Sequence, residues 1–132
     1  MEKLKIFNEV HGFRVPRKAL GLVFERFLEM ERVPREFEVT VVFIGEKKMM
    51  GLNETWKGGT GSTDVLTFDY GEIYICEKIA TKNALLDGIK TSTEILNLFA
   101  HGLLHLKGYT HETDAKYEKM MGKMKKIVDE VD

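Results

Sequence analysis

Cysteine is nearly absent from this sequence. A single thiol, Cys76, stands among 132 residues. One thiol cannot close an internal disulfide, so a stapled, secreted scaffold is excluded. Long apolar runs are lacking too. Nothing approaches the roughly 20 residues that a membrane-spanning helix needs. Met1 to Val10 also lack the apolar stretch of a signal peptide, so a cytoplasmic location is expected. Charge of one sign is not in excess. The formal net charge is -1, which leaves no global positive field to draw in nucleic acid. RNA binding would have to rest on local patches or on a bound cation, and no DNA binding is expected. Repeats, low-complexity tracts and linkers are missing as well, so residues 1–132 read as one domain.

What is present suffices for a packed core. The hydrophobic content is 43%, enough for one domain of this length and too high for wholesale disorder. Leu4 to Phe7 reads as a first strand. Pro16 suits the first turn of a helix, and Ala19, Leu20, Val23, Phe24, Phe27 and Leu28 give that helix one apolar face, ended by Arg32-Val33-Pro34. Val39 to Ile44 is rich in β-branched residues and reads as a well-buried strand. A short helix is expected over Lys47 to Trp56, then a flexible loop over Lys57 to Thr63.

Val65–Phe68 and Glu72–Cys76 flank the tight turn Asp69-Tyr70-Gly71, so they are expected to pair antiparallel. Glu77 to Leu86 reads as a helix broken by Asp87-Gly88. Thr91 and Glu94 have the spacing of a capping box. The helix they open is apolar on nearly every side from Ile95 to Leu106, so it should be buried. A last helix carries Tyr117, Met120, Met121, Met124, Ile127, Val128 and Val131 on one face. Lys119, Lys123, Lys125, Lys126 and Glu130 lie on the other face and read as solvated.

Three of the four histidines, His101, His105 and His111, fall between positions 101 and 111. At about 100° per residue, His101 and His105 lie within roughly 40° of each other on one helix face and can chelate one ion. On a continuous helix His111 would point roughly 120° away from His105. Gly108 resolves this, because glycine readily adopts the left-handed conformation that ends a helix. The chain can then turn back toward the same ion.

The spacing H-x3-H-x2-G-x2-H is the zinc spacing of metzincin peptidases. Three imidazoles leave one tetrahedral position open, the pattern of a catalytic zinc. Zinc is the preferred ion, although imidazole also suits nickel, copper and iron. The peptidases carry Glu after the first histidine as general base. Here that position is Gly102, which cannot take a proton. His11 stands outside the cluster and reads as a surface or loop residue.

The run His101-Gly102-Leu103-Leu104-His105-Leu106-Lys107-Gly108-Tyr109-Thr110-His111 resembles the HGxLHLxGYDH signature of the YbeY family of bacterial rRNA-maturation endoribonucleases. Leu52-Asn53 with Ser62-Thr63-Asp64-Val65-Leu66-Thr67-Phe68 resembles that family's LN…(P/S)TDVLSF stretch. Gly71 to Cys76 resembles its GDIxIC strand, and Glu112, Asp114 and Met120 fit the helix after the histidines.

The resemblance implies a zincin-like α+β fold, a small mixed sheet packed with helices. It implies a hydrolytic metal site at His101, His105 and His111. It also implies single-stranded RNA as substrate, processing of the 16S rRNA 3′ end, a part in ribosome quality control, and small-subunit components as partners. Three departures stand out. Trp56-Lys57-Gly58 replaces the family's YRG, which keeps a positive charge but loses the planar fork of arginine. Thr110 replaces Asp in GYDH. The Asp69-Tyr70-Gly71 connection is shorter than the family's loop.

Within that resemblance, Lys57 is the candidate phosphate clamp, against the plainer reading of a solvated loop lysine. Asp64 would orient a ligating histidine or a water, or else cap the turn before its strand. Trp56 reads as a core anchor or as a stacking surface for an unpaired base. Arg14, Arg17, Lys18, Lys47 and Lys48 form a possible basic patch along the groove. No residue stands out as general base. Two other functions compete: a different zinc hydrolase such as a peptidase, and a non-catalytic, metal-containing ribosome assembly factor.

Overall fold

In the computed structural model the described residues are 3–131. Met1, Glu2 and Asp132, which the one-domain reading includes, lie outside them. The elements run β1 (Leu4–Asn8), α1 (Arg17–Met30), β2 (Val39–Ile44), α2 (Glu46–Trp56), β3 (Val65–Phe68), β4 (Glu72–Cys76), α3 (Glu77–Asp87), α4 (Thr91–Lys107) and α5 (Asp114–Val128). The strands form one mixed sheet in the order β1-β2-β4-β3. β1, β2 and β4 are parallel, and β3 returns antiparallel to β4. The α+β expectation holds. No described helix is long and apolar enough to cross a membrane.

The middle strand explains its own composition. β2 is flanked on both sides and covered on both faces, and five of its six residues are buried. Val39, Val41 and Phe43 face the main core, together with Ile73 and Ile75 of β4, the apolar face of α1, and α4. Val42 and Ile44 face a smaller cluster with Met49 of α2, Leu66 and Cys76. A strand that alternates between two apolar layers has no polar positions to show. α4 is buried through Ile95, Leu96, Leu98, Phe99, Ala100, Leu103 and Leu104, which carries its C-terminal end to the rim of the sheet beside β3.

Three expectations need correction. The capping box does not form: Thr91 is the first helical residue, Lys90 holds the N-cap position, and no side-chain bond caps the helix there. Glu94 then falls one position late for the reciprocal bond. The stripe on α5 packs through Met120, Met121, Met124, Ile127 and Val128, but Tyr117 is half exposed, in a stretch, 111–119, whose residues are all exposed. Lys123 is not a solvated lysine, since its ammonium lies 3.1 Å from the buried Glu31 carboxylate.

Candidate metal centre

The last turns of α4 present His101 and His105 one turn apart, both partly buried. Gly108 follows with φ of 111°. Its N–H donates to the His105 carbonyl at 3.0 Å, and the Tyr109 N–H donates to the Leu104 carbonyl at 3.0 Å. This pair of bonds is a Schellman ending, which needs a residue that tolerates positive φ. The chain reverses there and brings back His111, whose ring centroid lies 5.6 Å from that of His101 and 5.1 Å from that of His105. One ring nitrogen from each histidine falls within 4.8 Å of the others. The spacing argument and the geometry therefore agree on the same three residues.

The donor set fits a divalent transition-metal ion. His105 Nδ1 lies 2.9 Å from the Tyr109 carbonyl oxygen. A carbonyl only accepts, so Nδ1 carries the proton and Nε2 presents its lone pair. His105 Nε2 and His101 Nε2 are 2.9 Å apart. Two ring nitrogens that close require a shared proton or a shared cation between them. Burial, and then the neighbouring His105 and His111, push His101 down to about 4. Burial also pushes His105 down, opposed by its bond to Tyr109 and reinforced by His111 and Lys57. Neutral imidazole is the form that a metal ligand requires.

The histidines open onto a cleft of about 550 Å³ that is also lined by Lys57, Asp64, Thr67, Asp69, Tyr109 and Thr110. Lys57 is the residue that ends α2. It is exposed, yet its ammonium donates to the Thr67 carbonyl at 2.7 Å and sits 4.7 Å from the Phe68 ring centroid. Asp64 accepts from the Asn83 amide at 3.3 Å and from the Thr63 hydroxyl at 3.5 Å. Both candidates thus reach the cleft wall, Lys57 across an edge strand and Asp64 tied to α3.

Other candidates go elsewhere. None of Arg14, Arg17, Lys18, Lys47 and Lys48 lines this cleft. Arg17 and Lys18 border a separate groove between β1 and α1, and Lys48 pairs with Glu9 at 2.8 Å. They sit on different elements, and the patch along the histidine cleft does not form. Trp56 is 67% exposed and so is not a core anchor. His11 is exposed, as expected.

Sequence reasoning missed the support beneath the site. Tyr109 donates its phenol to Glu31 Oε1 at 2.6 Å, and Lys123 reaches Glu31 Oε2 at 3.1 Å. Burial raises the Glu31 carboxyl, but the bonds from Tyr109 and Lys123 and the charges of Lys123 and Lys107 outweigh it and hold the group below its ordinary range. A signal was present. Glu31 stands four residues after Phe27 and three after Leu28, on the apolar face of α1 continued, where a carboxylate requires partners.

Gly102 has a structural reason of its own. A Cβ there would lie 2.8 Å from Ile73 Cδ1 and 3.0 Å from Ile73 Cγ2. The position that carries a glutamate in metzincins is here pressed against β4, with no room for a side chain.

The sequence matches the family described as Endoribonuclease YbeY over residues 6–132. An endoribonuclease YbeY from Thermotoga maritima is 40% identical over 103 residues, covering 73% of this chain and 69% of its own length. One from Micrococcus luteus is 29% identical over 144 aligned positions, covering 97% of this chain and 91% of its own. The solution structure of TM1509 from Thermotoga maritima superposes with a TM-score of 0.68 at 34% identity, covering 97% of this chain and 88% of that one. With its histidine triad, its mixed sheet and these relatives, the chain belongs to the endoribonuclease YbeY family.

Proposed function

We propose that this chain is a metal-dependent endoribonuclease that cuts single-stranded RNA, with the 16S rRNA 3′ end and ribosome quality control as its setting. Components of the small ribosomal subunit are its partners and the cytoplasm is its location. Residues 1–132 would act as one metallohydrolase domain. The observation that carries this reading is the convergence of three imidazoles, one of them fixed by a backbone carbonyl, at the mouth of an open cleft. The relatives named as endoribonucleases supply the substrate class.

His101, His105 and His111 would hold the ion, zinc by preference and nickel or another divalent transition metal otherwise. Such an ion, when bound, supplies Lewis acidity toward a phosphodiester and activates water near neutral pH. The chain's own residues do the rest. Lys57 places a positive charge on the cleft wall, where negative charge grows on the phosphate. Asp64, held by Asn83 and lining the same cleft, orients a water or a ligating histidine there. The Tyr109 carbonyl keeps His105 in the ligating tautomer. Gly102 disfavours the peptidase alternative, since no carboxylate can replace it against Ile73.

Elemental analysis paired with cleavage assays tests the proposal. Purified protein should carry about one equivalent of metal, cut single-stranded RNA, leave casein intact and lose cleavage with a chelator. His105→Ala should stay folded and still bind RNA without cutting it. Chelator-sensitive proteolysis with intact RNA would overturn the reading. Equal RNA binding by wild type and His105→Ala, with cleavage by neither, would make the protein an assembly factor.

A further inference from the structure

β3 and the turn that follows it border two different clefts. Thr67 and Asp69 border the histidine cleft. Phe68, the last residue of β3, and Tyr70 of the turn border a second cleft of about 370 Å³ on the α2 side, with Leu52, Trp56 and Tyr74. β3 is a terminal strand of the sheet, with β4 as its one neighbour, so the clefts meet around its outer edge. Lys57 lies across that edge. It follows Trp56, packs over the Phe68 ring and ends on the outward carbonyl of Thr67.

Trp56 is 67% exposed and Tyr70 is 73% exposed. The Phe68 ring holds Tyr70 at 5.7 Å, tilted, and Tyr74 at 5.7 Å, edge-on. Tyr70, carried on the packed Phe68 ring, has little side-chain freedom left to lose on binding, and Trp56 lines the same cleft.

We infer that the Trp56–Tyr70 cleft is a stacking subsite for an unpaired base of the RNA strand whose phosphate occupies the histidine cleft. The inference rests on the endoribonuclease reading and extends it to how the strand is held. Charge assigns the orientation. The Tyr74 phenol, which lines this cleft, donates to the Glu72 carboxylate at 2.8 Å, so an acidic backbone is disfavoured beside it while a neutral base is not. The cation on the path is Lys57, at the edge between the clefts, where the strand must turn. Every base has a π-face, so such a platform tolerates any sequence but requires an unpaired base. A duplex, which is stiff and keeps its bases inside, cannot turn around the strand edge.

Trp56 is the only tryptophan in the chain, so its emission reports this subsite directly. The full-length protein is titrated with a short oligouridylate, with an abasic ribose-phosphate oligomer of equal length, and with duplex RNA. Binding is followed independently by anisotropy of end-labelled oligomers. Oligouridylate is expected to quench Trp56 to saturation. The abasic oligomer and the duplex are expected to leave the emission unchanged and to bind about tenfold or more weakly, the loss that one stacked base represents.

Trp56→Ala and Tyr70→Ala should raise KM for single-stranded RNA about tenfold with kcat unchanged, and Trp56→Phe should recover most of the loss. If wild type cuts RNA but Trp56 emission ignores saturating oligouridylate, or if both alanine variants keep the wild-type KM, the subsite is wrong and the nuclease reading stands. If wild type neither binds nor cuts RNA, both fall.

Discussion

Tyr109 and Glu31, separated by 78 positions in sequence, are joined by a 2.6 Å hydrogen bond from phenol to carboxylate. The same Tyr109 accepts from His105 Nδ1 through its backbone carbonyl. One residue therefore ties a candidate ligand to the C-terminal end of α1, and it does so between the glycine that ends α4 and the third histidine. Tyr109→Phe removes the phenol and leaves Glu31, 9% exposed, with Lys123 as its remaining partner. The expected cost is about 1–3 kcal/mol in chemical denaturation. Metal affinity should fall by less than the about tenfold that loss of a direct ligand partner carries, since the carbonyl that orients His105 stays and only its anchoring is weakened. Unchanged affinity by competition with a chromogenic chelator would remove Tyr109 from the site's support.

Acid should expose the Glu31 contribution. The folded carboxyl lies below its ordinary range, and an unfolded glutamate titrates near about 4.3. The stabilisation is therefore present above that value and is lost as pH falls through the lower, folded one. Glu31→Gln should be less stable than wild type at neutral pH, and the gap should close below about pH 4. Melting temperatures of both proteins over pH 3–7 check this. A gap that stays constant down to pH 3 would contradict it.

Restoring the metzincin glutamate should fail for a packing reason. Gly102→Glu places a side chain where Ile73 already stands, and overpacking combined with a buried carboxylate costs about 3 kcal/mol or more. Gly102→Ala should be milder, and Ile73→Ala in the same chain should recover part of its loss. No peptidase activity should emerge from either variant. If Gly102→Glu unfolds in urea at the wild-type midpoint, the contact with β4 is not what selects glycine.

Lys57 separates charge from shape. Lys57→Ala should lower kcat/KM on single-stranded RNA about a hundredfold, the range for removing one donor to a developing oxyanion. Lys57→Arg restores the fork that grips phosphate through two bonds and should match or exceed wild type. Equal activity of the alanine variant would return Lys57 to the role of an edge-strand cap on Thr67.

The sheet was legible because its strands are short, β-branched and bounded by turn residues. Val39–Ile44 and the pair around Asp69-Tyr70-Gly71 fall where the pattern puts them. The histidine triad was legible because helical periodicity and a single glycine are both local facts. The basic patch failed because it depended on which elements become neighbours, and no local rule places Arg17 of α1 beside Lys48 of α2. The Glu31–Tyr109–Lys123 cluster joins α1, the turn after α4, and α5, a tertiary meeting that periodicity hints at for Glu31 alone. Trp56 was ambiguous for a related reason. A tryptophan at a helix end faces inward or outward according to what packs on that helix, and here α2 buries Met49 instead.

The Schellman turn at Gly108 divides the three ligands unequally. His101 and His105 are anchored in a helix that the core would hold in place with or without an ion, whereas His111 is exposed on the arm that leads into α5. Capture of a cation would therefore order little beyond that short arm, and its release would loosen the arm first. If the triad holds an ion, amide hydrogens at positions 110–113 should exchange faster after chelation while those of Ile95–Leu104 keep their protection, one joint coming loose from a frame that stays assembled.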